Sequence, residues 1–222
     1  MPWEVRWFDN SISKYNLALK WFNNIDDKFF KENLREDIYF FLPRYEDIGI
    51  KLRPLDYQSK HQLRYSFEIK LRKNVNPNFE IPDKCIYGTL EEWVKYAWLL
   101  NDNKVSINNN LVDFSSLSYE SILKVKKLRY LRKYFIKDGI CRSVGSGDIM
   151  IDEGLQCEIT KIMNDKSTWW TIGFEGIGHK TKELCFYKTV RGILKEFELE
   201  LDREYSFGYP RWINSAAKFL TE

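Results

Sequence analysis

Two short segments of the chain alternate charged and aliphatic residues, and this alternation restricts the folds that the chain can adopt. Residues 49–53 read GIKLR, and residues 67–72 read FEIKLR. A period of two predicts β-strands in which one face is apolar and the other carries the charges. A charged face is also the ordinary water-facing side of an antiparallel sheet. The pattern therefore indicates a function only if other strands repeat it.

Other segments extend this pattern into a mainly β fold. Five of them are predicted to be strands, at residues 3–8, 37–42, 124–136, 155–162 and 168–175. Apolar spacing and capping signals predict helices at residues 11–25, 89–100 and 190–197, a short helix at 118–123, and a last helix that begins at Pro210. Polar stretches predict loops at residues 54–61, 74–82 and 101–110.

The composition is that of a folded domain and carries no strong nucleic-acid signal. The 222 residues are 44% hydrophobic and 16% aromatic, which argues against disorder and suits one domain over residues 1–222. A net charge of +3 is too small to indicate a nucleic-acid partner. No apolar run approaches the roughly 20 residues that a membrane helix needs, so we expect no membrane association.

Cysteine and histidine residues give no sign of a metal or nucleophile site. The four cysteines are Cys85, Cys141, Cys157 and Cys185. No two of them form a C-x-x-C pair, so we interpret them as reduced thiols of a cytoplasmic protein. The two histidines lie among polar residues and support no histidine-centred triad. The GSG sequence at residues 145–147 lacks the lysine of a P-loop and predicts a hairpin turn.

Charges recur on one parity in most of the predicted strands. They comprise seven cations and four carboxylates: Arg6, Lys51, Arg53, Lys70, Arg72, Lys127 and Arg129, with Glu4, Glu68, Glu158 and Glu175. The opposite faces are apolar and need covering, which the predicted helices can do from outside. We therefore predict a mainly β fold, a closed antiparallel barrel of eight strands with helices packed outside and charges in the lumen.

Such a lumen has a chemical preference. Seven buried cations need anionic partners, and four carboxylates cannot balance them. A small polyanion such as a triphosphate would supply the missing negative charge. The carboxylates in turn suit Mg²⁺ or Mn²⁺, because these ions bind oxygen ligands and bridge to phosphate oxygens. Cations for phosphate and acids for metal are the two parts of metal-assisted phosphoryl transfer.

In order along the chain, these segments resemble the CYTH, or triphosphate tunnel metalloenzyme, superfamily. Its members fold as an antiparallel eight-stranded tunnel that binds triphosphate compounds with a divalent metal. The matching pieces cover nearly the whole chain: Glu4-Val-Arg6, Asp37-Ile-Tyr39, Lys51-Leu-Arg53, Glu68-Ile-Lys70, Lys127-Leu-Arg129, Glu158-Ile-Thr160, residues 170–175 and Ser206-Phe-Gly-Tyr-Pro210.

The resemblance implies roles for the charged side chains. Phosphate contacts would come from Lys51, Arg53, Lys70, Lys127 and Arg129, with Arg6, Arg72 and Arg142 as further candidates. Contacts to Mg²⁺ or Mn²⁺ would come from Glu4, Glu68, Glu158 and Glu175, and the catalytic residues would be Glu68 and Lys70. The implied activity is metal-dependent hydrolysis of inorganic triphosphate, or of a nucleoside or thiamine triphosphate, without a covalent intermediate.

The first strand departs from the family pattern Glu-x-Glu-x-Lys. Arg6 stands at the second glutamate and Phe8 at the lysine, while Thr160 and Gly173 stand where further acids are common. Two explanations are open, namely a changed substrate with a reduced metal set, or anion binding without catalysis. We therefore keep two alternatives to hydrolysis: a nucleotidyl cyclase of the same fold, and a binding module for a polyphosphate or nucleotide.

Overall fold

The computed structural model describes residues 3–26, 29–55, 65–100, 104–107, 110–113, 122–137, 140–144, 153–164, 166–178 and 183–218. Within these residues the strands are β1 Trp3–Asp9, β2 Phe30–Lys31, β3 Arg35–Phe40, β4 Ile48–Pro54, β5 Tyr65–Ile81, β6 Ile86–Leu100, β7 Lys104–Ile107, β8 Asn110–Asp113, β9 Ile122–Lys137, β10 Ile140–Val144, β11 Gly154–Met163 and β12 Thr168–Ile177. The helices are α1 Ile12–Asn24, α2 Glu183–Ile193 and α3 Tyr209–Lys218.

Eight of the strands form one closed sheet. Their order is β9-β11-β12-β1-β6-β5-β4-β3, and β3 pairs again with β9, which closes the ring. Closure leaves the eight strands without a free edge. Strands β2 and β10 pair with β9, while β7 and β8 form a separate hairpin. The predicted mainly β fold, a closed antiparallel barrel of eight strands, is confirmed.

The chain divides into two compact units. Unit 1 comprises Met1–Leu34, Arg72–Val94 and Leu128–Gly208, and unit 2 comprises Arg35–Leu71, Lys95–Lys127 and Tyr209–Glu222. Strands β5, β6 and β9 therefore contribute residues to both units. The expectation of one domain over the whole chain stays a prediction.

The core of unit 1 is built from the apolar faces of its strands and from two helices. Helix α1 begins after Ser11, whose side chain accepts a hydrogen bond from the backbone N–H of Lys14, the usual N-cap contact. The buried apolar set includes Val5, Trp7, Ile159, Ile172 and Phe174 of the strands, Ala18 and Phe22 of α1, and Phe186 and Val190 of α2. The apolar parity predicted for β1, β11 and β12 is the one that packs.

Arg132 on β9 is completely buried in unit 1 and joins the sheet to the end of α1. Its Nε and Nη2 atoms donate to the carbonyl oxygen of Phe22 at 3.0 and 2.5 Å, and Nη2 also donates to the carbonyl oxygen of Asp26 at 2.6 Å. The last carbonyl groups of a helix lack partners within it, and a cation there complements the helix dipole. Arg132 is therefore a structural residue that completes the end of α1.

Unit 2 has a smaller core of its own. Leu52, Phe67 and Leu100 are buried, and their neighbours Ile50 and Ile69 lie on the apolar parity predicted for β4 and β5. Helix α3 turns Trp212, Ile213 and Ala216 inward, as predicted. The first turn of α3 approaches β4 closely, because a Cβ atom at Gly49 would lie 3.1 Å from Cγ of Pro210.

The charged faces of the strands are buried in both units, which excludes a water-facing origin for the alternation. Charged side chains with at most 5% exposure are Glu4, Arg6, Asp37, Glu68, Glu91, Lys127, Arg132 and Glu158. Buried charges are stable only when paired or hydrogen-bonded. The contacts of these side chains therefore decide what each face can do.

The predicted helix at residues 89–100 is wrong, because these residues belong to strand β6. Leu90 and Trp93 are both buried, and their spacing of three suggests a helical stripe. In the structure Leu90 packs in the apolar core, while Trp93 lies below the guanidinium of Arg72 on the charged face. Two buried faces of one strand thus produced a spacing that resembles a helix.

The predicted loop at residues 74–82 is also wrong, since β5 continues to Ile81. Residues 73–78 are mostly exposed, whereas Phe79 and Ile81 are buried. The polar composition therefore reflects an exposed stretch of strand. Within the predicted loop at 101–110, residues 104–107 form β7 and Asn110 begins β8. In the predicted helix at 118–123, residues 122 and 123 begin β9.

Some expectations fall outside the described residues. These are the loop at residues 56–61, the turn at residues 145–147 and the surroundings of His61 and His179. All four cysteines are free thiols, and the cytoplasmic location stays a prediction. None of the helices in the described part of the chain has the length and hydropathy needed to span a membrane.

Candidate functional site: two buried charge clusters

A group of ion-paired side chains in unit 2, which we call the basic cluster, surrounds the buried carboxylates of Asp37 and Glu68. Asp37 is contacted by Arg35 Nε at 3.1 Å, Lys51 Nζ at 3.2 Å and Lys127 Nζ at 3.5 Å. Glu68 is contacted by Lys51 Nζ at 3.3 Å, Arg53 Nη1 at 3.4 Å and Lys95 Nζ at 3.1 Å. The described ion pairs of this cluster thus join five cations to two carboxylates.

Strand register places Lys51 at the centre of the basic cluster. Lys51 on β4 lies opposite Glu68 on β5 and opposite Tyr39 on β3. Directly opposed residues in antiparallel strands share a face and lie within contact distance. The alternation in the two segments that carry Lys51 and Glu68 therefore brings their charges together.

Exposure within the basic cluster increases from the carboxylates to the outer cations. The side chains of Asp37 and Glu68 are 0% and 5% exposed, whereas those of Arg53 and Lys95 are 25% and 35% exposed. The negative charges are therefore enclosed, and the part of the cluster that solvent reaches is positively charged. A dissolved anion meets cations before it meets a carboxylate.

Burial and ion pairing together shift the pKa values of the basic cluster. Burial alone would raise the pKa of Glu68, but Lys51, Arg53 and Lys95 outweigh it and lower the pKa to about 2. The same balance holds the pKa of Asp37 far below its usual range. Burial, together with the charge of Arg53, lowers the pKa of Lys51 to about 8. Both carboxylates are therefore ionised at neutral pH, while Lys51 titrates close to neutrality.

Lys127 is fixed by two tyrosines in unit 2. Its Nζ atom donates to the hydroxyl of Tyr39 at 2.5 Å and lies 3.5 Å from the ring centre of Tyr209. The two tyrosine rings are stacked, with centroids 5.7 Å apart. A cation over an aromatic face is attracted by the ring quadrupole. Lys127 is therefore held in place as a charged group, with little freedom to rearrange.

A second group, in unit 1, alternates cations and carboxylates, and we call it the arginine-bridged cluster. It consists of Glu4, Arg6, Glu32, Arg129 and Glu158. Arg6 donates from Nε to Glu4 Oε1 at 2.8 Å and from Nη1 to Glu158 Oε1 at 2.5 Å. Arg129 donates from Nη1 to Glu158 Oε2 at 3.0 Å and also pairs with Glu32. Each arginine thus lies between two carboxylates.

The register of three strands creates the space that Arg6 occupies. Gly173 on β12 lies opposite Arg6 on β1 and opposite Glu158 on β11. A Cβ atom at Gly173 would lie 2.6 Å from Cζ of Arg6. The guanidinium group therefore fills the position of the missing side chain, where it reaches Glu158 and also donates to Thr171 Oγ1 at 2.9 Å.

A row of acidic residues crosses the strands beside the arginine-bridged cluster. Glu4 lies opposite Glu175 on one side and opposite Glu91 on the other. Glu175 accepts a hydrogen bond from Gln156 at 2.7 Å, and Glu91 is ion-paired with Arg72 at 2.7 Å. Burial, reinforced by the charge of Glu4, raises the pKa of Glu91. Glu175 and Glu91, the two acids beside Glu4, are therefore bound to different partners, Gln156 and Arg72.

Several solved structures resemble this chain over most of its length. The Mimivirus capping enzyme triphosphatase matches 89% of this chain over 89% of its own, with a TM-score of 0.50 and 10% identity. A protein of Pyrococcus horikoshii (93% and 94% coverage, TM-score 0.48, 12% identity) and a candidate adenylate cyclase from Bacillus halodurans (90% and 91%, 0.45, 13%) also match. No protein-family model matches the sequence, and no curated protein does.

The chain has the CYTH, or triphosphate-tunnel, fold. The resemblance predicted from the sequence is confirmed at this level. At 10% identity the likeness shows the fold alone. The side chains that this chain places on the fold must therefore carry any statement about function.

The structure brings most of the predicted site residues of the triphosphate-tunnel fold into the two clusters. Unit 2 joins Lys51, Arg53, Glu68 and Lys127. Lys70 acts on Lys95 of the same unit, because burial lowers the pKa of Lys95 and the charge of Lys70 lowers it further. Unit 1 joins Glu4, Arg6, Arg129 and Glu158. Arg72 and Glu175 belong to the adjacent acidic row, and Arg142 is exposed on β10.

Some residues of these clusters had not been predicted as site residues: Glu32, Arg35, Asp37, Glu91 and Lys95. Two of them, Glu91 and Lys95, were assigned to a helix, although they share a parity with Trp93 in the sequence. Asp37 belongs to a matching piece of the family pattern but had received no role. Glu32 follows the two-residue strand β2, whose pairing with β9 has no clear signal in the sequence.

The described side chains do not fit the divalent metal that the resemblance implies. Among the residues that the structure describes, no three acidic, histidine or cysteine side chains converge to hold a metal ion. Both carboxylate oxygens of Glu158 accept hydrogen bonds from arginines, and Glu4 accepts one from Arg6. Glu68 is contacted by three cations. Both oxygens of Glu158, one oxygen of Glu4 and the carboxylate of Glu68 are therefore already occupied by fixed positive charges.

Proposed function

We propose that the protein binds the triphosphate group of a small molecule through the basic cluster of unit 2. The observation that carries this proposal is the ratio of five cations to two enclosed carboxylates in the described ion pairs. A cluster in which cations outnumber carboxylates attracts anions. Arg53 and Lys95 are exposed enough to be reached, and arginine and lysine are the usual donors to phosphate.

A triphosphate fits the basic cluster better than a single phosphate does. The cations lie on strands β3, β4, β6 and β9, and Arg35 on β3 is directly opposite Lys127 on β9. They are therefore distributed over several strands. An extended polyanion can contact several of them at once, whereas one phosphate cannot. The solved structure of a capping enzyme triphosphatase with the same fold supports this ligand class. Inorganic triphosphate, nucleoside triphosphates and thiamine triphosphate are the candidates.

Hydrolysis of the bound triphosphate is the second candidate function, and the triphosphatase of the same fold favours it. The lysines and arginines of the basic cluster would then stabilise negative charge that develops during phosphoryl transfer. Glu68 and Lys70 were predicted to be the catalytic residues. With a pKa of about 2, however, Glu68 is a weak general base at neutral pH. Binding without turnover is therefore the function that the geometry supports better.

Calorimetric titration with inorganic triphosphate, ATP and thiamine triphosphate tests the proposal. We expect binding of at least one compound, and a loss of affinity of at least about tenfold in Lys51→Ala, because a charge-assisted contact is removed. Lys126→Ala is the matched control, since Lys126 is an exposed lysine beside Lys127 on the same strand. Failure of all three compounds to bind, or equal losses in the two variants, would overturn the proposal.

Product analysis of the same mixtures separates the remaining functions. Binding that survives EDTA and gives no product selects the binding protein. Release of phosphate that requires Mg²⁺ or Mn²⁺ and falls in Glu68→Gln selects the metal-dependent hydrolase, and would show that the metal prediction was right. Pyrophosphate together with a cyclic nucleotide selects the cyclase.

A further inference from the structure

Arg6 occupies the position between two carboxylates at which a divalent ion would be expected in a metal-dependent site. We propose that Arg6 is a built-in cation that takes the place of a divalent metal between Glu4 and Glu158, so that the arginine-bridged cluster works without metal. This arrangement lies in unit 1 alone and is independent of the proposed ligand. Its three supports are the contacts of the guanidinium, the glycine opposite it and the saturation of Glu158.

The guanidinium of Arg6 makes the contacts that a bridging ion would make. It donates to Glu4 Oε1 at 2.8 Å and to Glu158 Oε1 at 2.5 Å, and all three side chains are at most 6% exposed. Charge-assisted hydrogen bonds of this length are the strong ones, and the planar group has five donors in a fixed arrangement. A metal ion could reach the same two oxygens only if the guanidinium left.

Glycine is needed at position 173 because of the space that Arg6 occupies, and not because of the backbone conformation. Among the described residues Gly178 is the glycine with positive φ, so the backbone conformation at Gly173 is one that other residue types can adopt. A Cβ atom there would lie 2.6 Å from Cζ of Arg6, and 2.7 and 2.8 Å from its two terminal nitrogens. The end of an arginine is normally free to move away. Here the bonds to Glu4, Glu158 and Thr171 hold it, so glycine at position 173 is needed for the arginine to remain bridged.

Glu158 is saturated by the two arginines. Its Oε1 atom accepts from Arg6 and from the hydroxyl of Thr160 at 3.4 Å, and its Oε2 atom accepts from Arg129. Burial alone would lower the pKa of Arg129, but Glu158 and Glu32 outweigh it and raise the pKa, so the arginine stays charged. A divalent ion would be repelled by two fixed cations within hydrogen-bonding distance of its ligand.

Direct measurement of Mn²⁺ binding tests the proposal, using the electron paramagnetic resonance signal of free Mn²⁺. We expect the natural protein to leave Mn²⁺ free at millimolar concentration. Arg6→Gln, which keeps much of the volume but removes the charge, is expected to bind Mn²⁺ at least about tenfold more tightly. Adding Glu158→Gln to that variant should abolish the gain. Tight Mn²⁺ binding by the natural protein that is lost in Glu158→Gln overturns the proposal even if the Arg6 variant fails to fold.

A double-mutant cycle tests the coupling of Arg6 to Gly173. Gly173→Ala should lower the melting temperature by about 5 °C, because the guanidinium is displaced from its partners. In the Arg6→Ala background the same change should have almost no effect. Gly176→Ala is the matched control on the same strand, where a Cβ atom would have its nearest contact at 3.5 Å. Equal effects of Gly173→Ala in both backgrounds would contradict the position proposed for the Arg6 guanidinium over Gly173.

Discussion

The two charge clusters are built from the same residue types but are balanced in opposite ways. In the basic cluster of unit 2, five cations surround two carboxylates. In the arginine-bridged cluster of unit 1, two arginines connect three carboxylates. Cations outnumber carboxylates in the described ion pairs of the first cluster, whereas each arginine of the second is paired with two carboxylates and is satisfied within the cluster. The local ratio of charges, and not their number, is therefore the basis on which we propose a ligand site in unit 2.

The difference also separates two consequences of mutation. Removing a charge from a self-satisfied cluster leaves its partner buried and uncompensated, which mainly affects stability. Removing a charge from a cluster with an excess of one sign changes the attraction for a ligand, which mainly affects affinity. Four predictions follow this division, in order of decreasing effect.

The largest effect is expected from Glu158→Gln in unit 1. This change removes the carboxylate shared by Arg6 and Arg129, so the buried Arg6 and the partly buried Arg129 each lose one of two carboxylate partners. We expect the free energy of unfolding to fall by about 3 kcal/mol, measured by urea denaturation. The exposed Glu198→Gln should change it by less than about 0.5 kcal/mol. A loss no larger than that of the control would mean that the arginine-bridged cluster is not self-satisfied.

A tenfold effect of opposite sign is expected from Glu68→Gln in unit 2. The carboxylate competes with an external anion for Lys51, Arg53 and Lys95. Its neutralisation should therefore raise the affinity for inorganic triphosphate by about tenfold in calorimetric titration. If Glu68 instead holds a metal that binds the phosphate, the affinity measured in Mg²⁺ will fall. The sign of the change thus distinguishes the two functions of this residue.

A smaller effect, of a few fold, is expected from pH. Lys51 has a pKa of about 8 in the folded protein because burial, and then Arg53, disfavour its charged form. It loses its proton as pH rises through this value, so triphosphate affinity should decline between pH 7 and pH 9. The charged and titratable groups around it are Arg35, Asp37, Tyr39, Arg53 and Glu68. Lys51→Arg should flatten the profile, and an unchanged slope in that variant would exclude Lys51 as the titrating group.

Almost no effect is expected from Arg142→Ala. Arg142 was predicted as a phosphate contact, but its side chain is exposed on β10, outside both clusters as defined by their described contacts. We expect triphosphate affinity to change by less than about twofold in the same titration. A loss comparable to that of Lys51→Ala would place Arg142 in the ligand site after all.

Strands with one apolar and one charged face could be predicted from the sequence. The alternation around Lys51 and Glu68 gave the correct strands, the correct faces and a pair of residues that are in fact in contact. The burial of both faces could be anticipated only by combining several strands. It is also what made β6 look helical, because Leu90 and Trp93 are buried on opposite sides of one strand.

Partners that come from distant elements could not be predicted. Arg132 follows a leucine in β9, as Arg129 does, yet its partners are carbonyl groups of α1 and of a residue just after that helix. Arg6 and Gly173 were both identified as departures from the family pattern. Their relation to each other depends on the register between β1 and β12, which the sequence does not specify.

The fit of Arg6 over Gly173 has a consequence for the order in which such a site can change. An arginine at position 6 would clash with any side chain at position 173, so an arginine acquired first is expected to be destabilising. A glycine acquired first costs only the modest stability penalty of a glycine in a strand, and it leaves space for a later arginine. The two substitutions are therefore epistatic, and their accessible path is glycine before arginine. Replacement of Arg6 by another residue stays sterically possible as long as the glycine is kept.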